Sequence, residues 1–252
     1  SGGLVFESQK PQNIDLIKKK YNLKKITIVI SSAIDIKNKE LNYCIDHKLT
    51  IKHRSEILSL IMASFKSIAV AGSHGKTSTS TFLTTLMDLC TRDTSSIVGG
   101  ILPKYESNTI IKDSKYLIAE IDESDGTVCG YKPYLGIINN IDFDHCDYYS
   151  NIQELISSFN TFGSNSNLLL TNNDCKITKT NITSDFKWSI KKINDIDFAM
   201  IPKKFDAEYT IADYYENGQI ITRLKIPIPG KHNLSNITAA ISACRIININ
   251  IN

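Results

Sequence analysis

The sequence predicts an α/β fold with a mostly parallel sheet, and two observations support that prediction. Short apolar runs typical of buried strands alternate with segments whose apolar residues recur at helical spacing. In addition, a glycine-containing turn joins one such strand to one such helix, a connection found at the carboxyl edge of parallel sheets. This alternation covers residues 64–246, where we expect the main domain.

The composition is that of an ordinary soluble globular protein. The chain has 252 residues, of which 42% are hydrophobic and 22% charged, so it can bury a large core. Its net charge of +3 is spread without a long basic run, which argues against a nucleic-acid partner. No apolar stretch approaches the roughly 20 residues of a membrane span. Six widely spaced cysteines and the lack of a signal peptide indicate free thiols in the cytoplasm.

A strand, a turn and a helix follow one another between residues 67 and 90. The apolar run at residues 68–71 predicts a buried strand, and the tight turn after it contains Gly72 and Gly75. The next segment predicts a helix with one apolar face, made by Phe82, Leu83, Leu86, Met87 and Cys90. This order of elements is the P-loop-type arrangement that cradles phosphate groups.

Lys76 and Thr77 open the predicted helix and supply the side chains that phosphate binding needs. Lysine reaches the terminal phosphates, a threonine hydroxyl can ligate magnesium, and the helix N-terminus attracts anions. The strict pattern has glycine at position 70, where this chain has Val70, so the loop is a shorter variant. A bare Gly-Lys-Thr is common by chance, but the strand–turn–helix context favours a nucleotide site over an ordinary helix start.

Acidic residues follow the next predicted strand, residues 116–121. Asp122, Glu123 and Asp125 lie where a carboxylate beside a phosphate loop can hold magnesium. The alternative is an exposed acidic turn. The phosphate loop upstream favours the metal role.

A third predicted strand, residues 135–140, leads to His145 with Asp144 and Asp147. A single histidine is usually structural, and the aspartates could simply form a turn. At the same sheet edge as the phosphate loop, however, His145 is a candidate ligand of a second metal or of a substrate phosphate.

The rest of the chain contributes fewer candidates. Residues 207–215 and 219–226 predict a hairpin, and residues 172–206 predict polar, irregular structure. In the last predicted helix, His232 and Asn236 lie one turn apart near its start, where they could contact a base or ribose or be ordinary polar residues. Residues 1–63 predict a small α/β piece around a strand at residues 26–30.

Four segments in one order resemble the Mur ligases, the ATP-dependent amide-forming enzymes that assemble the peptidoglycan stem peptide. The segments are residues 71–77, 119–125, 140–148 and 229–236. His74 and residues 122–125 resemble the branch of the family that joins L-alanine to UDP-N-acetylmuramate. The resemblance implies a P-loop-type ATPase central domain, preceded by part of a smaller Rossmann-like domain.

The resemblance also implies roles for single residues. Lys76 would contact the transferring phosphate, and Thr77 and Glu123 would ligate the Mg²⁺ that bridges ATP. His145 would serve a second Mg²⁺ near an acyl phosphate, so Lys76, Glu123 and His145 are the implied catalytic residues.

Further residues are implied as nucleotide contacts. His232 and Asn236 would contact adenine. The residues expected to wrap the phosphates are Gly72, Ser73, His74, Gly75 and Ser78.

Members of this family have three domains, and the resemblance predicts parts of them here. Residues 1–63 would belong to the UDP-sugar domain, residues 64–246 to the ATP domain, and residues 247–252 to a stub of the third. The chain is therefore expected to be a fragment or a reduced product with little ligase activity alone.

Two alternatives stay open from the sequence: a non-catalytic nucleotide-binding remnant, and the ligase that reattaches recycled tripeptide. The oligomeric state is not predicted.

Overall fold

The computed structural model describes residues 3–21, 25–143 and 148–249, which divide into two compact units. The units are Ser1–Leu60 and Ile61–Asn252. The first contains α1 (Pro11–Tyr21), β1 (Thr27–Ile30), α2 (Lys39–Asp46), β2 (Thr50–His53) and most of α3 (Arg54–Met62).

In the first unit, β1 and β2 form a two-stranded parallel sheet. Asn38 caps α2, because its side-chain oxygen accepts hydrogen bonds from the main-chain N–H groups of the first turn. Helix α1 packs against α2, and the Tyr43 hydroxyl donates to Asp15 at 2.6 Å. The strand predicted at residues 26–30 is therefore present as β1.

The second unit is built on one large sheet. Among the described residues, ten strands pair in the order β12-β11-β10-β9-β8-β7-β3-β6-β4-β5. Their bounds are β3 (Lys66–Ala71), β4 (Thr94–Leu102), β5 (Ser107–Ile110), β6 (Tyr116–Glu120), β7 (Leu135–Ile138), β8 (Leu168–Asn172), β9 (Phe186–Ser189), β10 (Phe198–Phe205), β11 (Thr210–Glu216) and β12 (Gln219–Ile226). The strands from β10 to β4 are parallel, while β5 at one edge and the β11–β12 hairpin at the other join the sheet through antiparallel pairing. The predicted α/β fold with a mostly parallel sheet is confirmed.

Helices cover both faces of this sheet. They are α4 (Lys76–Leu89), α5 (Ile152–Asn165), α6 (Lys176–Asn181) and α7 (Lys231–Ile246). Helices α4 and α7 pack on each other and bury Leu83 and Leu234 against Ile68 of β3. The opposite face holds α5, where Phe162 lies over Gly136 of β7. The central strands are thus buried on both faces, as their continuous apolar sequences predict.

The prediction of irregular structure at residues 172–206 was wrong, because α6, β9 and β10 lie there. Strand β9 is short and alternates apolar with polar residues, and tertiary contacts order it: Trp188 is buried, and the Asp174 carboxylate accepts hydrogen bonds from Ser189 and the Ile190 N–H. Strand β10 opens with an apolar run at residues 198–201, a signal in the sequence that the prediction overlooked, and it pairs with β11.

We predict that Gly136→Ala destabilises the second unit by about 1–3 kcal/mol. A methyl group at this position would lie 3.1 Å from side-chain atoms of Leu169 and Phe162 and closer still to the Ser166 hydroxyl. Gly130→Ala is the matched control, since its methyl group would meet no atom of the described residues within 4 Å. Urea unfolding of both variants checks this, and equal stabilities would contradict it.

Candidate functional site

The phosphate loop lies at the carboxyl edge of the sheet, between β3 and α4. Gly72 and Gly75 have φ values of +132° and +78°, a region that favours glycine. Helix α4 begins at Lys76, and its N-cap Gly75 provides no side-chain hydrogen bond. The first-turn N–H groups, including those of Thr77 and half-buried Ser78, have no partner within the helix and suit an anion.

The Lys76 ammonium is held inside the site by two acceptors. It donates to the Gly72 carbonyl at 2.8 Å and to both oxygens of Glu123, at 2.8 and 3.1 Å. Glu123 is only 6% exposed, so the ion pair is largely shielded from water. Burial raises the pKa of the Glu123 carboxyl above its usual value, and the nearby Lys76 charge opposes that rise.

A second carboxylate, Glu120, contacts Thr77. The Thr77 hydroxyl donates to Glu120 Oε1 at 2.9 Å, and the Gly99 N–H donates to Glu120 Oε2 at 2.5 Å. A side chain at Gly99 would collide with this carboxylate, and one at Gly100 would lie 2.9 Å from Thr77. The two glycines at the end of β4 therefore leave room for the Thr77–Glu120 pair.

Two predicted phosphate-loop residues, Ser73 and His74, lie close to Asp142 in the segment after β7. The Ser73 hydroxyl bonds the main chain of Asp142, and His74 Nε2 lies 3.7 Å from Asp142 Oδ2. His74 and Asp142 are both exposed.

The start of α7 reaches the phosphate loop through Asn236. A methyl group at Gly75 would lie 2.5 Å from Asn236 Oδ1, so this amide lies directly against the loop. His232 is exposed in the first turn of α7. Its neighbour Asn233 donates to the Pro229 carbonyl at 2.8 Å.

The structure does not bring all the predicted site residues together. Asp122 and Asp125 accept hydrogen bonds within their own loop, from Ser124 and Thr127. His145, with Asp144 and Asp147, lies outside the described residues, so its metal role stays a prediction.

Glu120 was missed from the sequence as a site residue. It ends the apolar run of β6, and it could have been found because a carboxylate at the end of a buried parallel strand points at the sheet edge. Asn140 was also missed. The apolar run predicts a strand that ends at Asn140, but β7 ends at Ile138, and Asn140 contacts the phosphate loop.

The side chains fit a magnesium–nucleotide better than a free metal ion. Within the described ranges, no group of three or more His, Cys, Asp or Glu residues could hold a metal. Mg²⁺ keeps several waters and binds through one or two carboxylates together with substrate phosphates. Thr77 and Glu120 offer such a partial ligand set beside the anion-binding helix start.

None of the helices among the described residues is long and apolar enough to cross a membrane. The five described cysteines, Cys44, Cys90, Cys129, Cys175 and Cys244, are free thiols.

A family model described as the Mur ligase middle domain matches residues 70–244. The UDP-N-acetylmuramate--L-alanine ligase of Prochlorococcus marinus subsp. pastoris is 56% identical over 248 residues, which are 98% of this chain and 52% of that protein. The enzyme of the same name from Synechococcus sp. (strain CC9311) is 42% identical over 241 residues, covering 96% of this chain and 50% of that protein. This chain therefore spans about half the length of the curated relatives it matches.

Solved structures share the fold. The UDP-N-acetylmuramate-alanine ligase of Thermotoga maritima has a TM-score of 0.78 and 22% identity, covering 88% of this chain and 51% of that one. A UDP-N-acetylmuramate:L-alanyl-gamma-D-glutamyl-meso-diaminopimelate ligase from Neisseria meningitides has a TM-score of 0.83 and 19% identity, covering 98% and 80%. At these identities the structures support the fold alone.

We predict that Lys76→Met destabilises the second unit by about 3–5 kcal/mol at pH 7, because it leaves Glu123 buried without a counter-charge. The double variant Lys76→Met/Glu123→Gln should recover most of this loss. Lys204→Met is the control, since Lys204 pairs with Asp206 at the surface and should cost less than about 1 kcal/mol. Urea unfolding measures all three, and a double variant no more stable than Lys76→Met would contradict the prediction.

The raised pKa of Glu123 also predicts a pH dependence. The folded state binds this proton more tightly than the unfolded state, so Glu123 contributes stability below its ordinary pKa of about 4.3 and loses it as the pH rises through the higher folded value. The free energy of unfolding of the wild type should therefore fall relative to Glu123→Gln as the pH rises above about 4. A constant difference from acid to neutral pH would contradict this.

Proposed function

This chain belongs to the Mur ligase family, and we propose that it forms the nucleotide-binding part of an ATP-dependent ligase that joins L-alanine to UDP-N-acetylmuramate in peptidoglycan synthesis. One observation carries the proposal: Lys76 and Thr77 open an uncapped helix at the sheet edge, each beside its own carboxylate. The relatives named for alanine favour this substrate over the recycled tripeptide.

The proposed reaction has two steps. A carboxylate oxygen of UDP-N-acetylmuramate attacks the γ-phosphorus of ATP, and ADP leaves. The amino group of L-alanine then attacks the acyl carbon, phosphate leaves with the bonding electrons, and the nitrogen loses a proton to complete the amide. Such chemistry depends mainly on positioning and on neutralising phosphate charge.

Lys76 supplies the mobile positive charge of the site. Its ammonium lies between the Gly72 carbonyl and Glu123, and a phosphate at the helix start would compete with Glu123 for it. We therefore propose that Glu123 positions the Lys76 side chain. Its magnesium role, expected from the resemblance, is the less favoured assignment because both of its oxygens bond Lys76.

Thr77 and Glu120 are the proposed magnesium ligands. Their contact leaves a hydroxyl and a carboxylate oxygen on the same side of the loop. Mg²⁺ bound there would neutralise charge on the phosphates. His145 stays the candidate for a second metal, from the sequence alone.

Asn236 and His232 are the proposed adenine contacts. Asn236 lies against the phosphate loop, and exposed His232 lies one turn before it on α7. Gly72, Gly75 and the first turn of α4, including Ser78, would surround the phosphates.

The remaining parts of the proposal concern the whole protein. Residues 1–63 would belong to the UDP-sugar domain and residues 64–246 to the ATP domain, followed by the start of a third domain at residues 247–252. We place the enzyme in the cytoplasm, and we expect this chain alone to bind MgATP weakly and to show little ligase activity.

We predict that Lys76→Ala weakens MgATP binding by about 10- to 100-fold, because a hydrogen bond from a charged donor is lost. Lys225→Ala, at an exposed position on β12, is the matched control and should bind like the wild type. Calorimetric titration of the three proteins measures this.

Phosphate release on adding UDP-N-acetylmuramate and L-alanine to the ATP complex would extend the result from binding to ligase chemistry. A folded wild type that does not bind MgATP would contradict the proposed function. So would binding that is equal in Lys76→Ala and Lys225→Ala.

A further inference from the structure

Hydrogen bonds connect the phosphate loop to the segment that follows β7, which we call the β7 loop (residues 139–143). The Asn140 side-chain amide bonds both main-chain groups of His74. Its Oδ1 accepts from the His74 N–H at 2.8 Å, and its Nδ2 donates to the His74 carbonyl at 3.0 Å. The Asn140 amide thus makes the same two hydrogen bonds to the His74 main chain that a residue of a paired β-strand would make.

Ser73 makes the reverse connection. Its hydroxyl donates to the Asp142 carbonyl at 2.9 Å and accepts from the Asp142 N–H at 2.8 Å. In addition, the Ser73 N–H donates to the Asn140 carbonyl at 3.1 Å. The Asn140 side chain therefore bonds both the N–H and the carbonyl of His74, and the Ser73 hydroxyl bonds both the N–H and the carbonyl of Asp142.

The close approach of the two loops depends on Gly72. A methyl group there would lie 3.0 Å from the Asn140 carbonyl oxygen and 3.1 Å from Asn139 Cβ, and the φ of +132° is itself unfavourable for other residues. Asn139 adds a link to α4, since its Nδ2 donates to the Thr79 hydroxyl at 2.9 Å.

These bonds determine which groups face a phosphate. The N–H groups of Ser73 and His74, and the Ser73 hydroxyl, are already used by the β7 loop. The first turn of α4 therefore provides the main-chain donors for an anion. A loop held by these bonds does not have to be ordered when the nucleotide binds, which lowers the entropy cost of binding.

We propose that Asn140 and Ser73 are positioning residues that hold the phosphate loop in its nucleotide-binding conformation through the main chains of His74 and Asp142. The proposal rests on the proposed function and deepens it: Ser73 supports the loop rather than wrapping the phosphates. The same bonds fix the β7 loop, and His145 lies three residues after Asp142 in the sequence.

The test combines hydrogen exchange with MgADP binding. Asn140→Ala should speed exchange of the Ser73 and His74 amides and weaken MgADP binding, each by about tenfold, because two hydrogen bonds to one residue are lost. Asn140→Asp keeps the acceptor for the His74 N–H but loses the donor, so its His74 exchange should be slower than in Asn140→Ala.

Asn172→Ala is the matched control. Asn172 likewise lies at the carboxyl edge of the parallel sheet, as the last residue of β8, and its side-chain oxygen accepts a hydrogen bond from the Asp174 N–H. Its removal should leave the exchange of Ser73 and His74 and the affinity for MgADP unchanged.

Variants of Ser73 provide a second test of the proposal. Ser73→Ala should weaken binding, Ser73→Thr should restore it by keeping the hydroxyl, and the double variant Ser73→Ala/Asn140→Ala should lose less than the product of the single effects.

Three results would overturn the proposal. The first is Asn140→Ala matching Asn172→Ala in both exchange and affinity. The second is faster exchange throughout the second unit, which would mean global destabilisation. The third is additive losses of affinity in the double variant. A wild type that fails to bind MgADP would instead contradict the proposed function, and the exchange of Ser73 and His74 would still decide whether Asn140 holds the loop.

Discussion

The parallel pairing of β3 with β6 and β7 is the constraint on which the site depends. Because these neighbours run in one direction, their carboxyl ends meet at the same sheet edge. The phosphate loop follows β3, while Glu120 ends β6 and Asn140 follows β7. If β6 ran antiparallel to β3, Glu120 and Glu123 would lie at the opposite edge of the sheet from Lys76. Helices α4 and α7 support this edge, because they share a hydrophobic core with β3.

Two carboxylates three residues apart have different partners at this edge. Glu123 is buried and binds the Lys76 ammonium, whereas half-buried Glu120 binds the Thr77 hydroxyl and the Gly99 N–H. The environments explain the difference, since a buried carboxylate needs a counter-charge and a partly solvated one can exchange a hydroxyl for a metal ion. Glu123 can thus keep Lys76 in place, while Thr77 and Glu120 leave the proposed magnesium position open to solvent.

The central strands β3, β6 and β7 could be predicted from the sequence, because strands buried on both faces read as continuous apolar runs. The phosphate loop could be predicted for a similar reason, since glycines, lysine and threonine lie together in the chain. Glu120 could have been placed at the sheet edge from its position at the end of β6. Its contact with Thr77 and the contact of Asn140 with His74 could not be predicted, because each pair is more than 40 residues apart in the sequence. Strand β9 was missed because tertiary contacts order it rather than apolar periodicity, whereas β10 carried an apolar run at residues 198–201 that the prediction overlooked.

Crystals grown with ADP and Mn²⁺ would test the central claim most directly, because the anomalous signal of Mn²⁺ locates the metal without reference to the protein. We predict one peak at bonding distance from Thr77 Oγ1 and a Glu120 oxygen, with Lys76 turned from Glu123 toward the phosphates. A peak bound by Glu123 instead, or ADP bound away from the start of α4, would contradict the account.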